Sequence, residues 1–181
     1  MLLDTPICDF GWKAPDFTLN DPTGKSFAMK AQLGDKGLLI AFICNHCPYV
    51  KAITGRLAED TNQLMAQGIN VLAIMSNDYR QVAEDSPNNM LKFSADNQLR
   101  FPYLIDEDQS VGKAYGAVCT PDFFGLNHHG ELQYRGRLDD AKMDSSLDRS
   151  TELLDAMLQI AKTGKGPERQ TPSMGCSIKW R

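Results

Sequence analysis

Two cysteines stand three apart in Cys44-Asn45-His46-Cys47, with a histidine between them and Pro48 directly after. Thiols at that spacing can close a redox disulfide, share a soft metal ion, or stay inert as small buried hydrophobes. Their place in the chain favours the first. "KGLLIAFI", residues 36–43, is a continuous apolar run of strand length, the pattern of a central strand covered on both faces. Pro48 then suits the first turn of a helix, where its missing N–H is no loss. The pair would therefore lie between a buried strand and a helix N-terminus, whose unpaired N–H groups and partial positive charge favour a thiolate. The thiolate is the nucleophile of disulfide exchange. A zinc ribbon would need a second ligand pair, but Cys8, Cys119 and Cys176 are single. The adjacent side chains of His46 and Cys47 also diverge, which disfavours one shared tetrahedral ion.

Elements that could hold this pair follow from the rest of the pattern. Val50, Ile53, Leu57 and Leu64 continue at helical spacing, Gly55 could mark a kink, and Gly68 supplies a stop. "INVLAIMS" is a second buried strand, and Ser86-Pro87 opens a helix through Met90, Leu91 and Phe93. "FPYLID" is a short strand, and Asp108 caps a helix that ends at Gly116. "TPDFFGLN" and "GELQYRGRLD" read as a hairpin about His129-Gly130. The second strand alternates, with Arg135 and Arg137 on its polar face. A last helix runs through Leu153 to Ile160, with Ser150 as cap and Gly164 as stop. The order implies an α/β fold, a mixed sheet flanked by helices in a single domain over residues 1–181.

At 181 residues the chain suits one well-buried core, and its hydrophobic and charged fractions of 42% and 23% are those of an ordinary globular protein. A net charge of −4 without a basic patch argues against nucleic acid. The longest apolar run is too short to span a membrane. Asp4, Pro6 and Asp9 interrupt the first residues, so no signal peptide is expected. A cytoplasmic location is the expectation, and there five cysteines suit a reactive set better than a stapled framework.

"AFICNHCPYV" resembles the active-site strand and helix of the thioredoxin superfamily. "FPYLIDEDQSVGKAYGAVCTPDFFGLNHHGELQYRGRLDD" is similar to the second half of its peroxiredoxin-like branch, the AhpC/TSA-type redoxins. "KAPDFTLNDPTGKSF" looks like their N-terminal β-hairpin, and "GCSIKW" resembles the end of a group carrying C-x-x-C-P. The resemblance implies a thioredoxin-like fold, no cofactor and no metal. It makes Cys44 the exposed nucleophile and Cys47 the more buried resolving thiol. It also places a cis-proline at Thr120-Pro121, facing the pair. His46 precedes the second cysteine as in disulfide isomerases and, with the helix terminus, should lower the Cys44 pKa. Ile43 and Pro48 depart from the usual thioredoxin residues. Peroxiredoxins carry T-x-x-C, and that alignment makes Cys47 peroxidatic.

The implied activity is thiol–disulfide exchange, with a thiol-dependent peroxidase as alternative and a copper-type carrier using Cys44, Cys47 and His46 or a tail thiol as another. Partners would be protein or small-molecule disulfides or peroxides and a thiol reductant, with a homodimer as one assembly. Arg137, like Arg135, would pair with the reactive thiolate or lie on a solvated strand face. Cys119 could lie within reach of Cys44 or be a small buried hydrophobe. Trp12 and Trp180 read as docking anchors. The tail, residues 165–181, should fold back, because Met174, Ile178 and Trp180 are too apolar for a free end. Cys176 would then approach the edge of the site.

Overall fold

The computed structural model describes residues 1–144 and 148–181. Strand β4 (Leu38–Phe42) is buried along its whole length because both its neighbours and both its faces are covered. It pairs parallel with β5 (Asn70–Met75) and antiparallel with β8 (Asp122–Leu126). Outward from β5 lie β6 (Tyr103–Ile105) and the N-terminal hairpin of β2 (Thr18–Asn20) and β3 (Ser26–Ala28). Outward from β8 lies β9 (Leu132–Tyr134). The seven-stranded order is β3-β2-β6-β5-β4-β8-β9.

Alternation along β4 divides the core. Leu39, Ala41 and Ile43 face α2 (Pro48–Ala66) and α5 (Glu152–Thr163), whose Leu57, Leu64, Leu153 and Met157 complete that layer. Leu38, Ile40 and Phe42 join the opposite layer with Phe17, Tyr115 and Phe124, beneath α1 (Met29–Gln32) and α4 (Ser110–Tyr115). Each such buried side chain contributes about 1.5–3 kcal/mol relative to exposure. A further helix, α3 (Pro87–Asp96), lies between β5 and β6 in the chain. This mixed sheet flanked by helices is a thioredoxin-like arrangement. Among the described residues no helix is long and apolar enough to cross a membrane.

A second sheet is built by the two ends of the chain. β10 (Met174–Ser177) lies between β1 (Leu2–Asp4) and β7 (Cys119–Thr120), antiparallel to both. Beyond β10, Ile178 N–H donates to the Val118 carbonyl, Lys179 N–H to Asn77 Oδ1, and Asp78 N–H to the Lys179 carbonyl. Trp180 packs into the layer that holds Tyr115. The strand formed by the first residues has no counterpart in the sequence expectations, because its partner is 172 positions away in the register Leu3↔Gly175.

Three expectations need correction. β9 is not a strand with a solvated face: Gln133 and Arg135 are buried, because the connector after α5 runs over it. Gln170 donates to the Gln133 carbonyl, Arg135 N–H donates to Gln170, and a Cβ on Gly166 would meet the Gln133 carbonyl at 1.9 Å. Ser86 precedes α3 but makes no side-chain cap hydrogen bond. The cap position of α5 is Thr151 rather than Ser150, also without a capping bond.

Candidate active site

The ladder of β4 extends one residue further, Ile43 N–H donating to the Ile74 carbonyl, and the chain then bends through Cys44, Asn45 and His46. Cys47 takes the N-cap position of α2, with Pro48 in the first turn and Lys51 N–H donating to the Cys47 carbonyl. Both sulfurs lie against one residue of β7. Cys44 Sγ is 3.1 Å from Thr120 Oγ1, and Cys47 Sγ is 3.2 Å from the Thr120 carbonyl oxygen. The Thr120–Pro121 peptide bond is cis. All five cysteines are unbridged in this structure.

The two thiols are not equivalent, and their ranking reverses the expectation. Cys44 and Cys47 are 1% and 0% exposed, so the picture of an exposed first and buried second sulfur does not hold. The Cys44 thiol donates a hydrogen bond to Cys47, and this contact is the largest influence on both. Cys47 is lowered to about 4 by that bond, with further support from the backbone N–H groups of Val50 and Cys176 and the Cys176 thiol, against the opposing effect of burial. Cys44 is raised by the same bond, then by burial and the nearby Asp85 carboxylate. The negative charge therefore rests on Cys47, as its place at the helix N-terminus favours.

His46 is bonded to a buried carboxylate. Its Nδ1 donates to Asp85 Oδ2 at 2.7 Å, and Asp85 Oδ1 accepts the backbone N–H groups of Asn45 (2.8 Å) and His46 (3.2 Å). Asn77 Nδ2 adds a bond of 2.8 Å to Asp85 Oδ2. Asp85 is fully buried and fixes the loop between the cysteines. Tyr103 Oη supports the same loop, donating to Asn45 Oδ1 at 3.1 Å. Neither Asp85 nor Tyr103 was a sequence candidate. Asp85 sits in "AEDSP" with no periodicity to mark it as buried, and only its position just before Ser86-Pro87 hints at a chain reversal.

Arg137 does not meet the thiolate. Glu152 holds its guanidinium with contacts of 2.7–3.1 Å, because the start of α5 lies directly beside it. Arg137 instead borders a groove of about 290 Å³ that runs past Pro121, Tyr49, Ile53 and Met174. Arg135 is the buried arginine near the turn. It donates to Asp122 Oδ2 at 2.9 Å and to the Gly116 carbonyl, and it lies over the Phe124 ring. Burial raises the pKa of Asp122, and the Arg135 contact opposes that effect. Cys119 precedes Thr120 on β7 and so points to the other side. Its thiol lies 3.8 Å from the Pro121 carbonyl oxygen, and burial pushes it up to about 12. Cys8 lies apart, raised to about 11 mainly by burial.

Cys176 is part of the cluster. β10 places it opposite Thr120, and it packs against the buried group that holds Cys44 and Cys47. For a metal ion, the structure brings together Cys44, His46 and Asp85, with ligand atoms within 4.8 Å of one another. That set mixes a soft thiol with a hard carboxylate already engaged by four hydrogen bonds. It differs from the expected copper ligands Cys44, Cys47 and His46.

A family profile described as the AhpC/TSA family matches residues 10–135. The solved structure of an uncharacterized conserved protein from Geobacillus kaustophilus is 39% identical, with a TM-score of 0.93, covering 100% of this chain and 97% of that one. Among curated relatives, the thiol-disulfide oxidoreductase ResA of Halalkalibacterium halodurans is 26% identical over 129 residues, 71% of this chain and 69% of its own. Peroxiredoxin Bcp of Escherichia coli is 25% identical over 117 residues, 65% of this chain and 70% of its own.

Proposed function

This chain belongs to the AhpC/TSA family, and from that membership and the site we propose that it is a thiol–disulfide oxidoreductase whose redox unit is Cys44 and Cys47. The observation that carries the reading is the placement of both sulfurs against Thr120, just before the cis bond to Pro121, with Cys47 at the N-terminus of α2. The Cys47 thiolate attacks a substrate disulfide, a mixed disulfide forms, and the departing thiolate takes a proton from Cys44. Cys44 then attacks Cys47 Sγ, releasing the second half of the substrate as a thiolate and closing a Cys44–Cys47 bond. Two electrons pass from the pair to the substrate, and a thiol reductant reopens the bond. The cysteine usage supports a reducing cytoplasmic setting for this cycle.

A peroxidase reading is favoured by one observation, the place of Cys47 at the N-terminus of α2, whose unpaired N–H groups suit an anionic sulfur. Here the Cys47 thiolate would attack a peroxide oxygen, the O–O bond breaking to release water or an alcohol, and the resulting sulfenic acid would condense with a neighbouring thiol to give a disulfide and water. Stopped-flow mixing of the reduced protein with a small disulfide and with hydrogen peroxide separates the two. The oxidoreductase reading expects rapid disulfide exchange, a trapped mixed disulfide on Cys47 when both Cys44 and Cys176 are replaced by serine, and a Cys44–Cys47 link in the native chain. Fast peroxide consumption kept by Cys44→Ser and abolished in Cys47→Ser, with slow disulfide exchange throughout, replaces it with the peroxidase.

A further inference from the structure

A reductant faces an access problem at this site. Cys44 and Cys47 are 1% and 0% exposed, and β10 covers the edge of β7 beside them. Cys176 is the member of the cluster that remains partly open to solvent. Its position is built: Cys176 stands opposite Thr120, the residue both active-site sulfurs touch. A Cβ on the preceding Gly175 would meet the Thr120 carbonyl oxygen at 2.0 Å, so β10 approaches β7 more closely than any other residue there would allow. Ser173 Oγ donates to the Pro121 carbonyl at 2.8 Å and fixes the strand's entry. A tail that only needed to bury Ile178 and Trp180 would not require a thiol opposite the residue that both sulfurs touch.

We propose that Cys176 is a third redox thiol, a relay that exchanges with the Cys44–Cys47 disulfide and carries it to the surface for reduction by an external thiol. The proposal rests on the reading of Cys44 and Cys47 as a redox pair. In the oxidised protein the Cys176 sulfur attacks Cys47 Sγ. A Cys47–Cys176 bond forms, the Cys44–Cys47 bond breaks, and the electron pair leaves on Cys44, which takes up the proton that Cys176 gives up. The Thr120 hydroxyl, 3.1 Å from Cys44, stabilises that departing sulfur. This step is an isomerisation with no net oxidation. An external thiol then attacks the partly open Cys176 Sγ, and Cys47 leaves as the thiolate its surroundings already favour. A second external thiol releases Cys176, so two thiols become one disulfide and the protein regains its dithiol.

The test uses the full chain and dithiothreitol. After oxidation of Cys44→Ser by a small disulfide, peptide mapping should recover a Cys47–Cys176 link. The oxidised Cys176→Ser and Cys176→Ala proteins should be reduced more slowly than the native chain by roughly tenfold or more, the advantage of a tethered over a diffusing thiol. Resistance to trypsin at Lys179 shows that the tail still docks in the variants. Either a missing Cys47–Cys176 link or an unchanged reduction rate overturns the relay. The link is sought in a chain that keeps Cys176, so that arm holds even if substitution loosens the tail. A Cys44–Cys47 link that forms on mild oxidation of Cys176→Ser leaves the redox pair standing when the relay fails. Its failure to form sinks the redox pair itself.

Discussion

Replacing Cys44 by alanine removes the largest single influence on Cys47, the hydrogen bond its thiol donates to the Cys47 sulfur. A hydrogen bond to a charged group contributes about 1.5–3 kcal/mol, which corresponds to about 1–2 pKa units. Cys47, lowered to about 4 in the native chain, should therefore titrate about 1–2 units higher in Cys44→Ala. The N–H groups of Val50 and Cys176 remain and keep it below the ordinary thiol value of 9.0. The stability sign follows from a depressed folded pKa. The thiolate's contribution is complete above 9.0, declines as pH falls, and is gone below about 4. The reduced native chain should lose stability relative to Cys47→Ser across that window, and in Cys44→Ala the loss should finish at a higher pH. Ultraviolet thiolate absorbance against pH measures the titration, with Cys47→Ser as the blank, and urea unfolding of the reduced proteins at several pH values measures the linkage. A native Cys47 that titrates near 9.0, or one unmoved by Cys44→Ala, refutes the assignment of the charge.

Asp85→Asn should cost roughly 2–3 kcal/mol in urea unfolding, because an amide nitrogen would face donors that a carboxylate now satisfies. The same change should lower the Cys44 pKa by removing a neighbouring negative charge, and a variant with native stability and native Cys44 titration would show that Asp85 does not set the loop. Gly175→Ala should detach β10 from β7, since the added carbon has no room against the Thr120 carbonyl, exposing Lys179 to trypsin and costing roughly 1–3 kcal/mol. A crystal structure of that variant with the Cys176↔Thr120 pairing intact would contradict this.

What could be read from the sequence is what neighbouring residues determine. The unbroken apolar run of β4, the proline after Cys47 and the helical spacing of Val50, Ile53 and Leu57 place the cysteine pair between strand and helix without help from distant residues. The thiolate-favouring environment follows from the same local facts. The order of the two pKa values does not, because the direction of the interaction between the two sulfurs is invisible in the motif and distant partners reinforce it. Asp85 arrives from the turn before α3, and Cys176 from the far end. The motif by itself shows a histidine beside two thiols and nothing of its other partners. The buried carboxylate that also bonds the imidazole lies 39 positions away, beyond the reach of a local pattern.

The arginines show the same limit in a different form. Arg135 and Arg137 alternate with apolar residues, and a period of two reports only that successive side chains face opposite sides, not which side meets water. The connector after α5 closes over β9 and turns its polar side inward, so Arg135 becomes a buried ion pair with Asp122 and Arg137 a partner of Glu152. The tail was legible in composition, since Ile178 and Trp180 had to find cover. Its strand pairing was not, because Met174–Ser177 carries a glycine that would weaken an ordinary strand. Here that glycine permits the close approach to Thr120. The residue that looked least suited to a strand is the one that lets the tail bring Cys176 to Cys47.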